Sequence, residues 1–108
     1  MAFLAYEVSI ELIRELKPSA AVLRRHDRKL TDQLLRAASS VALNVAEGNR
    51  RRGRDRKHHF RIAAGSADEV KAVLDVSCAW GYLSAKDSDG PLRLVDRLQR
   101  LLWGLRGD

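Results

Sequence analysis

Residues 34–53 read LLRAASSVALNVAEGNRRRG, and the chemistry of the chain changes abruptly inside them. As far as Ala46 the run is apolar and rich in alanine; after Glu47 and Gly48 it meets a cluster of arginines. Leu34, Ala37, Ala38, Val41 and Val45, with Leu30 upstream, recur at helical spacing, and Leu35, Ala42 and Ala46 widen that stripe. Only a narrow polar line is left over: Gln33, Arg36, Ser40, Asn44 and Glu47. A helix apolar around most of its circumference has to be covered on more than one side. Gly48 reads as the left-handed residue that ends it. The expectation is a helix over about 28–47 that delivers the arginines into a loop.

The flanking sequence has the same period. Tyr6, Ile10, Ile13, Leu16, Ala20 and Leu23 predict a first helix over about 3–26. Pro18 should kink or break it at Lys17, because proline lacks the amide hydrogen and crowds the preceding turn. Asp27 is placed to cap the second helix. Downstream, Phe60, Ala63, Ala67, Val70, Leu74, Ser77 and Gly81 form one heptad-like seam. Ile62, Ser66, Glu69, Val73, Val76, Trp80 and Leu83 form another, and the two predict a helix over about 54–83. Gly65 costs that helix about 1 kcal/mol relative to alanine, and close approach of a neighbour is the expected compensation. KDSDG, residues 86–90, reads as a turn, with Pro91 opening a last helix over about 91–105.

Two prolines and no strand-like alternation make the chain all-α. Four helices joined by short connections predict an antiparallel up-down-up-down four-helix bundle, a single domain over 1–108. In that topology the 49–57 connection shares an end with both termini, and the 24–29 and 84–90 turns share the other. Arg106 can therefore join the arginine cluster, whereas Arg24, Arg25, Arg28 and Lys29 cannot.

Composition narrows the functions. One cysteine, Cys78, excludes an internal disulfide framework and a four-cysteine zinc site. No secretory signal and no apolar run of membrane-spanning length are apparent, so a cytoplasmic protein without a membrane partner is expected. The formal net charge is +6, and it is local: residues 49–61 hold seven Lys/Arg against Asp55 alone, while the rest of the chain balances. That makes a patch, not a diffusely basic surface.

QLLRAASSVALNVAEGNRR (33–51), HHFRIAAGSADEV (58–70) and WGYL (80–83) together resemble the four-helix-bundle proteins encoded in intervening sequences of bacterial 23S ribosomal RNA genes. The motif pair RAAxSVxxNxAEG and FxxxAxGSxxE carries the resemblance, over about residues 30–83. It implies a homo-oligomer, a pentameric ring of bundles with a basic surface. Relatives of that family include the accessory variability protein of diversity-generating retroelements, which implies a reverse-transcriptase-like partner and its RNA. Between Pro18 and Leu30 the chain is longer than the family's usual spacing, so the first turn carries over least.

Arg50, Arg51, Arg52, Arg54, Arg56 and Lys57 are the candidate nucleic-acid-binding residues. Guanidinium forks grip phosphate oxygens in pairs and stay charged at any relevant pH. Without stacking aromatics beside the cluster, apart from Phe60, backbone recognition of RNA or DNA is expected over base recognition. The alternative is an adaptor whose basic loop meets an acidic protein such as a polymerase. Arg36, Asn44 and Glu47 share a helix face as a structural or interface polar set. There Arg36 would pair with Glu47 or Glu69, or Asn44 and Glu47 would fix the helix end. His58 and His59 diverge by about 100° on a helix and cannot chelate one metal together. With no nucleophile–base pair, metal set or phosphate-cradling loop, neither an enzyme nor a cofactor is expected. Trp80 and Trp103 are expected as packing anchors, an exposed Trp103 instead marking a subunit contact.

Overall fold

The computed structural model describes residues 2–107, in four helices: α1 (Ala2–Arg24), α2 (Arg28–Arg50), α3 (Gly53–Ala79) and α4 (Ala85–Leu105). The expected single unit over 1–108 includes Met1 and Asp108, which lie outside the described residues. Each helix packs on its neighbours in the order α1–α2–α3–α4–α1, with α2 against α3 the most extensive contact. The chain is an all-α four-helix bundle measuring 42 × 22 × 21 Å. Among the described residues no helix is long and apolar enough to cross a membrane.

Asp27 caps α2 as expected, its carboxylate accepting from the Leu30 amide at 2.9 Å. The predicted apolar stripe of α2 is buried from Leu34 to Val45, with Leu30 partly covered. On α3 the first seam is buried from Phe60 to Ser77, whereas Ile62, Val76 and Trp80 of the second remain exposed. On α1 the predicted Leu16, Ala20 and Leu23 are buried, but over the N-terminal half the core face is rotated from its predicted position. Ala5, Val8, Ser9, Leu12, Leu16, Ser19, Ala20 and Leu23 point inward, and Tyr6, Ile10 and Ile13 fall at its edge.

Both prolines lie inside helices. Helix α1 runs unbroken through Pro18, so of the expected kink or break at Lys17 the break does not occur; the ring is on the exposed side, where water can satisfy the carbonyl one turn back. Pro91 does not open α4 either. Ser84 does, through a capping box: its hydroxyl accepts from the Asp87 amide, and Asp87 accepts from the Ser84 amide. The segment read as a turn is thus the first turn of a longer helix. Pro91 then leaves the Asp87 carbonyl without its helical donor, and the buried Ser19 hydroxyl donates to that oxygen at 2.6 Å. A hydroxyl from α1 makes a proline in α4 tolerable.

The glycines also exchange roles. Gly48 does not terminate α2. It is buried and helical, and a Cβ there would lie 2.8 Å from the Phe60 ring. The left-handed residues are Gly53, at the start of α3, Gly81, just past its end, and Gly107 after α4. At Gly81 the amides of Gly81 and Tyr82 close back on the carbonyls of Cys78 and Ser77, each at 2.9 Å, ending α3 at Ala79 instead of Leu83. Gly65 meets open space, so no close helix contact compensates for it; the tight approach is made at Gly48 and at the buried alanines 63, 64 and 67.

Candidate nucleic-acid interface

Because α2 continues to Arg50 and α3 begins at Gly53, the expected loop shrinks to Arg51 and Arg52. The six candidate cations are mounted on two abutting helix ends. Arg50 closes α2, and Arg54, Arg56 and Lys57 lie in the opening turns of α3.

Three of the six are engaged within the protein. Arg50 Nη2 donates to Glu47 Oε1 at 2.8 Å, and Arg51 Nε donates to Glu47 Oε2 at 2.9 Å. Arg51 also lies 3.6 Å from Asp55. The Arg51 hydrogen bond, with Arg50 adding to it, holds the Glu47 carboxyl below its usual 4.5. Arg56 turns inward. Its Nη1 donates to the Gly48 carbonyl at 3.1 Å, and its guanidinium lies 4.8 Å from the centre of the Phe60 ring. A cation on the last carbonyls of α2 complements the helix dipole and ties the two helix ends together.

Arg52, Arg54 and Lys57 are exposed, and among the described residues no carboxylate comes within 4 Å of them. They surround the start of α3, whose N-cap Arg52 supplies no side-chain hydrogen bond to the first amides. A helix N-terminus with unbonded amides and flanking guanidinium groups favours phosphate oxygens. The C-terminal segment adds to this end. Lys57 lies against Gly107, and the Arg106 guanidinium covers the exposed Trp103 ring at 3.9 Å.

Arg36, Asn44 and Glu47 do not form one site. Asn44 and Ser40 belong to a polar ladder between α2 and α3. The Asn44 amide nitrogen donates to the Ser40 carbonyl at 2.9 Å, its oxygen meets His59 Nδ1 at 3.1 Å, and Ser40 and Ser66 exchange a hydrogen bond of 2.8 Å. Glu47 belongs to the arginine junction. Arg36 is alone of the three on the rim of a groove of about 670 Å³ shared with Gln33, Ser66 and Glu69. Among the described residues it has no ion pair; it is Gln33 that reaches Glu69, at 3.3 Å. Of the two alternatives for this set, the Arg36–Glu47 or Arg36–Glu69 pair is not formed among the described residues. His58 and His59 diverge, their ring planes 67° apart.

The quoted motifs thus acquire a physical meaning. Ser40, Asn44 and Gly48, four residues apart on α2, meet Ser66, His59 and Phe60 on α3. They specify how two helices lock, and the cations follow directly after.

A model of the 23S rRNA-intervening sequence protein family matches residues 3–104. A crystal structure of a protein of unknown function from the S23 ribosomal protein family of Bacteroides thetaiotaomicron is similar with a TM-score of 0.86 and 18% identity, covering 96% of this chain and 99% of that one. That likeness shows the shared fold. No curated protein matches the chain.

Proposed function

This chain belongs to the 23S rRNA-intervening sequence protein family, and from that premise we propose that it is a non-catalytic, self-associating bundle whose cationic end binds the phosphate backbone of RNA. The observation that supports this most strongly is the exposed trio Arg52, Arg54 and Lys57, with no carboxylate within 4 Å among the described residues and held where α2 ends and α3 begins. Rigid mounting lowers the ordering cost of each phosphate contact. Each phosphate neutralised releases counterions, so affinity must fall steeply with salt.

Self-association is supported by apolar surface that the bundle leaves open. Tyr6, Ile10 and Ile13 of α1 and Ala42, Leu43 and Ala46 of α2 line a groove of about 250 Å³, with Leu43 69% exposed. Contiguous apolar surface of this kind marks contact sites. Repeating the cationic end in each copy multiplies weak contacts through avidity. A Leu43→Lys variant should sediment as a smaller species than the wild type; a wild type that is monomeric at micromolar concentration would remove the assembly.

RNA binding titrated against salt tests the central part. The variant Arg52→Ala/Arg54→Ala/Lys57→Ala should bind about 10- to 50-fold more weakly at low salt, with a log–log slope shallower by about 2–3. Equal affinities and slopes would refute the assignment. Retention of polyglutamate but not RNA would reassign the same cations to an acidic protein.

A further inference from the structure

The far end of the bundle holds three aromatic rings in nearly one orientation. His26, in the α1–α2 turn, stacks on Tyr82 with centroids 5.0 Å apart and planes 11° apart. Trp80, the C-cap of α3, stacks on the same Tyr82 at 6.3 Å and 18°. The backbone enforces this. Gly81 at φ +78° reverses the chain between Trp80 and Tyr82, and the capping bonds to Ser77 and Cys78 fix the reversal.

Packing accounts for only part of it. Tyr82 is half-buried against the core and joins the two turns. Trp80 is 69% exposed, and His26 is exposed as well. The largest side chain of the group is thus left mostly to solvent. Arg25, next to His26, and Lys86 have no carboxylate within 4 Å among the described residues. Both lie near this turn. They add to the lowering of the Asp87 carboxyl, whose main cause is the Ser84 amide that donates to it.

We propose that the Trp80–Tyr82–His26 stack is a second binding site, one that takes an unpaired nucleobase onto its aromatic surface while Arg25 and Lys86 attract the attached phosphate. Flat rings of common orientation offer a π-face to a base of any identity, and cations at the edge suit the charge that accompanies it. An apolar protein partner would not call for parallel rings with cations beside them. This inference stands apart from the cationic junction at the other end of the molecule, and either can fail alone.

The test uses a Trp103→Phe background, so that Trp80 is the sole tryptophan. Titration with adenosine monophosphate should quench its fluorescence, and ribose 5-phosphate, which lacks the base, should not. A single-stranded RNA carrying 2-aminopurine should show stacking of the reporter base, and Trp80→Ala should weaken that signal about 5- to 150-fold, the range one base–aromatic stack commands. Arg52→Ala/Arg54→Ala/Lys57→Ala should leave the mononucleotide response unchanged. Quenching by the free nucleotide alone would make the site a nucleotide pocket; a response to both would make it a strand-binding platform. An unresponsive Trp80 would overturn the proposal, as would equal quenching by ribose 5-phosphate. So would a Trp80 signal that varies with protein concentration alone, which would give the stack to a second copy of the chain.

Discussion

The α2–α3 seam and the α2–α3 junction are consecutive pieces of one stretch of sequence, and they are built on opposite terms. In the seam every polar side chain quoted has a partner across the interface, and a glycine is held open for an aromatic ring: Ser40 with Ser66, Asn44 with His59, Gly48 under Phe60. In the junction three cations have internal partners and three have none within the described residues. The paired ones hold the helix ends; the others face solvent. Complementarity satisfied internally makes a fold, and complementarity left open makes a binding surface.

That contrast can be broken from either side. The largest effect belongs to the seam. Phe60→Ala empties the most voluminous buried side chain and should cost about 3–5 kcal/mol in urea unfolding. RNA affinity of the molecules that remain folded should be unaltered. A loss of affinity with no loss of stability would mean the two regions are not separable. Next, Gly65→Ala should raise stability by about 1 kcal/mol, because a Cβ there meets open space on an otherwise regular helix. Destabilisation in a concentration-dependent melt would instead place Gly65 against a second copy.

Within the junction, single substitutions should divide by partner. Arg52→Ala should weaken RNA binding about three- to fivefold, and Arg50→Ala less than twofold, since Glu47 already neutralises Arg50. Equal losses would show that the internal pairs do not persist in solution. The smallest effect is at Glu47. Glu47→Gln should tighten RNA binding about twofold at pH 7 by releasing Arg50 and Arg51. Because the folded carboxyl titrates below 4.5, its contribution to stability is present above that value and lost as pH falls through the lower folded value. The difference in melting temperature between Glu47→Gln and the wild type should therefore be seen at pH 6 and vanish in acid.

Much of this architecture is legible in the sequence where the signal is local and periodic. The α2 stripe, the Phe60–Ser77 seam and the Asp27 cap follow from spacing and residue type alone. The arginine patch is equally plain from charge. What escapes is whatever depends on a partner distant in the chain. Gly48 and Gly81 each suit a helix end, and only the ring of Phe60 decides that Gly48 stays inside. Ser84 and Asp87 do carry the local capping-box signature, yet Pro91 argues against a helix until Ser19 is seen to satisfy the freed carbonyl. On α1, Ala5, Ser9 and Ser19 are small enough to be buried but carry little hydropathic signal, so the larger Tyr6–Ile10–Ile13 stripe misplaces the face. Arg56 is indistinguishable from its neighbours by type; a carbonyl and a ring within its reach set it apart. The aromatic stack joins residues 26 and 82, a pairing that no local pattern announces.

The central claim is that phosphate is bound by the outward cations of the junction, and a base-free polyanion isolates it. Titrating isotope-labelled protein with tripolyphosphate while following backbone amide and arginine side-chain resonances should shift Arg52, Gly53, Arg54 and Lys57 most. Arg56 should move little, and Arg36 should stay where it is. Shifts concentrated in the Arg36 groove, or none at the start of α3, would contradict the account.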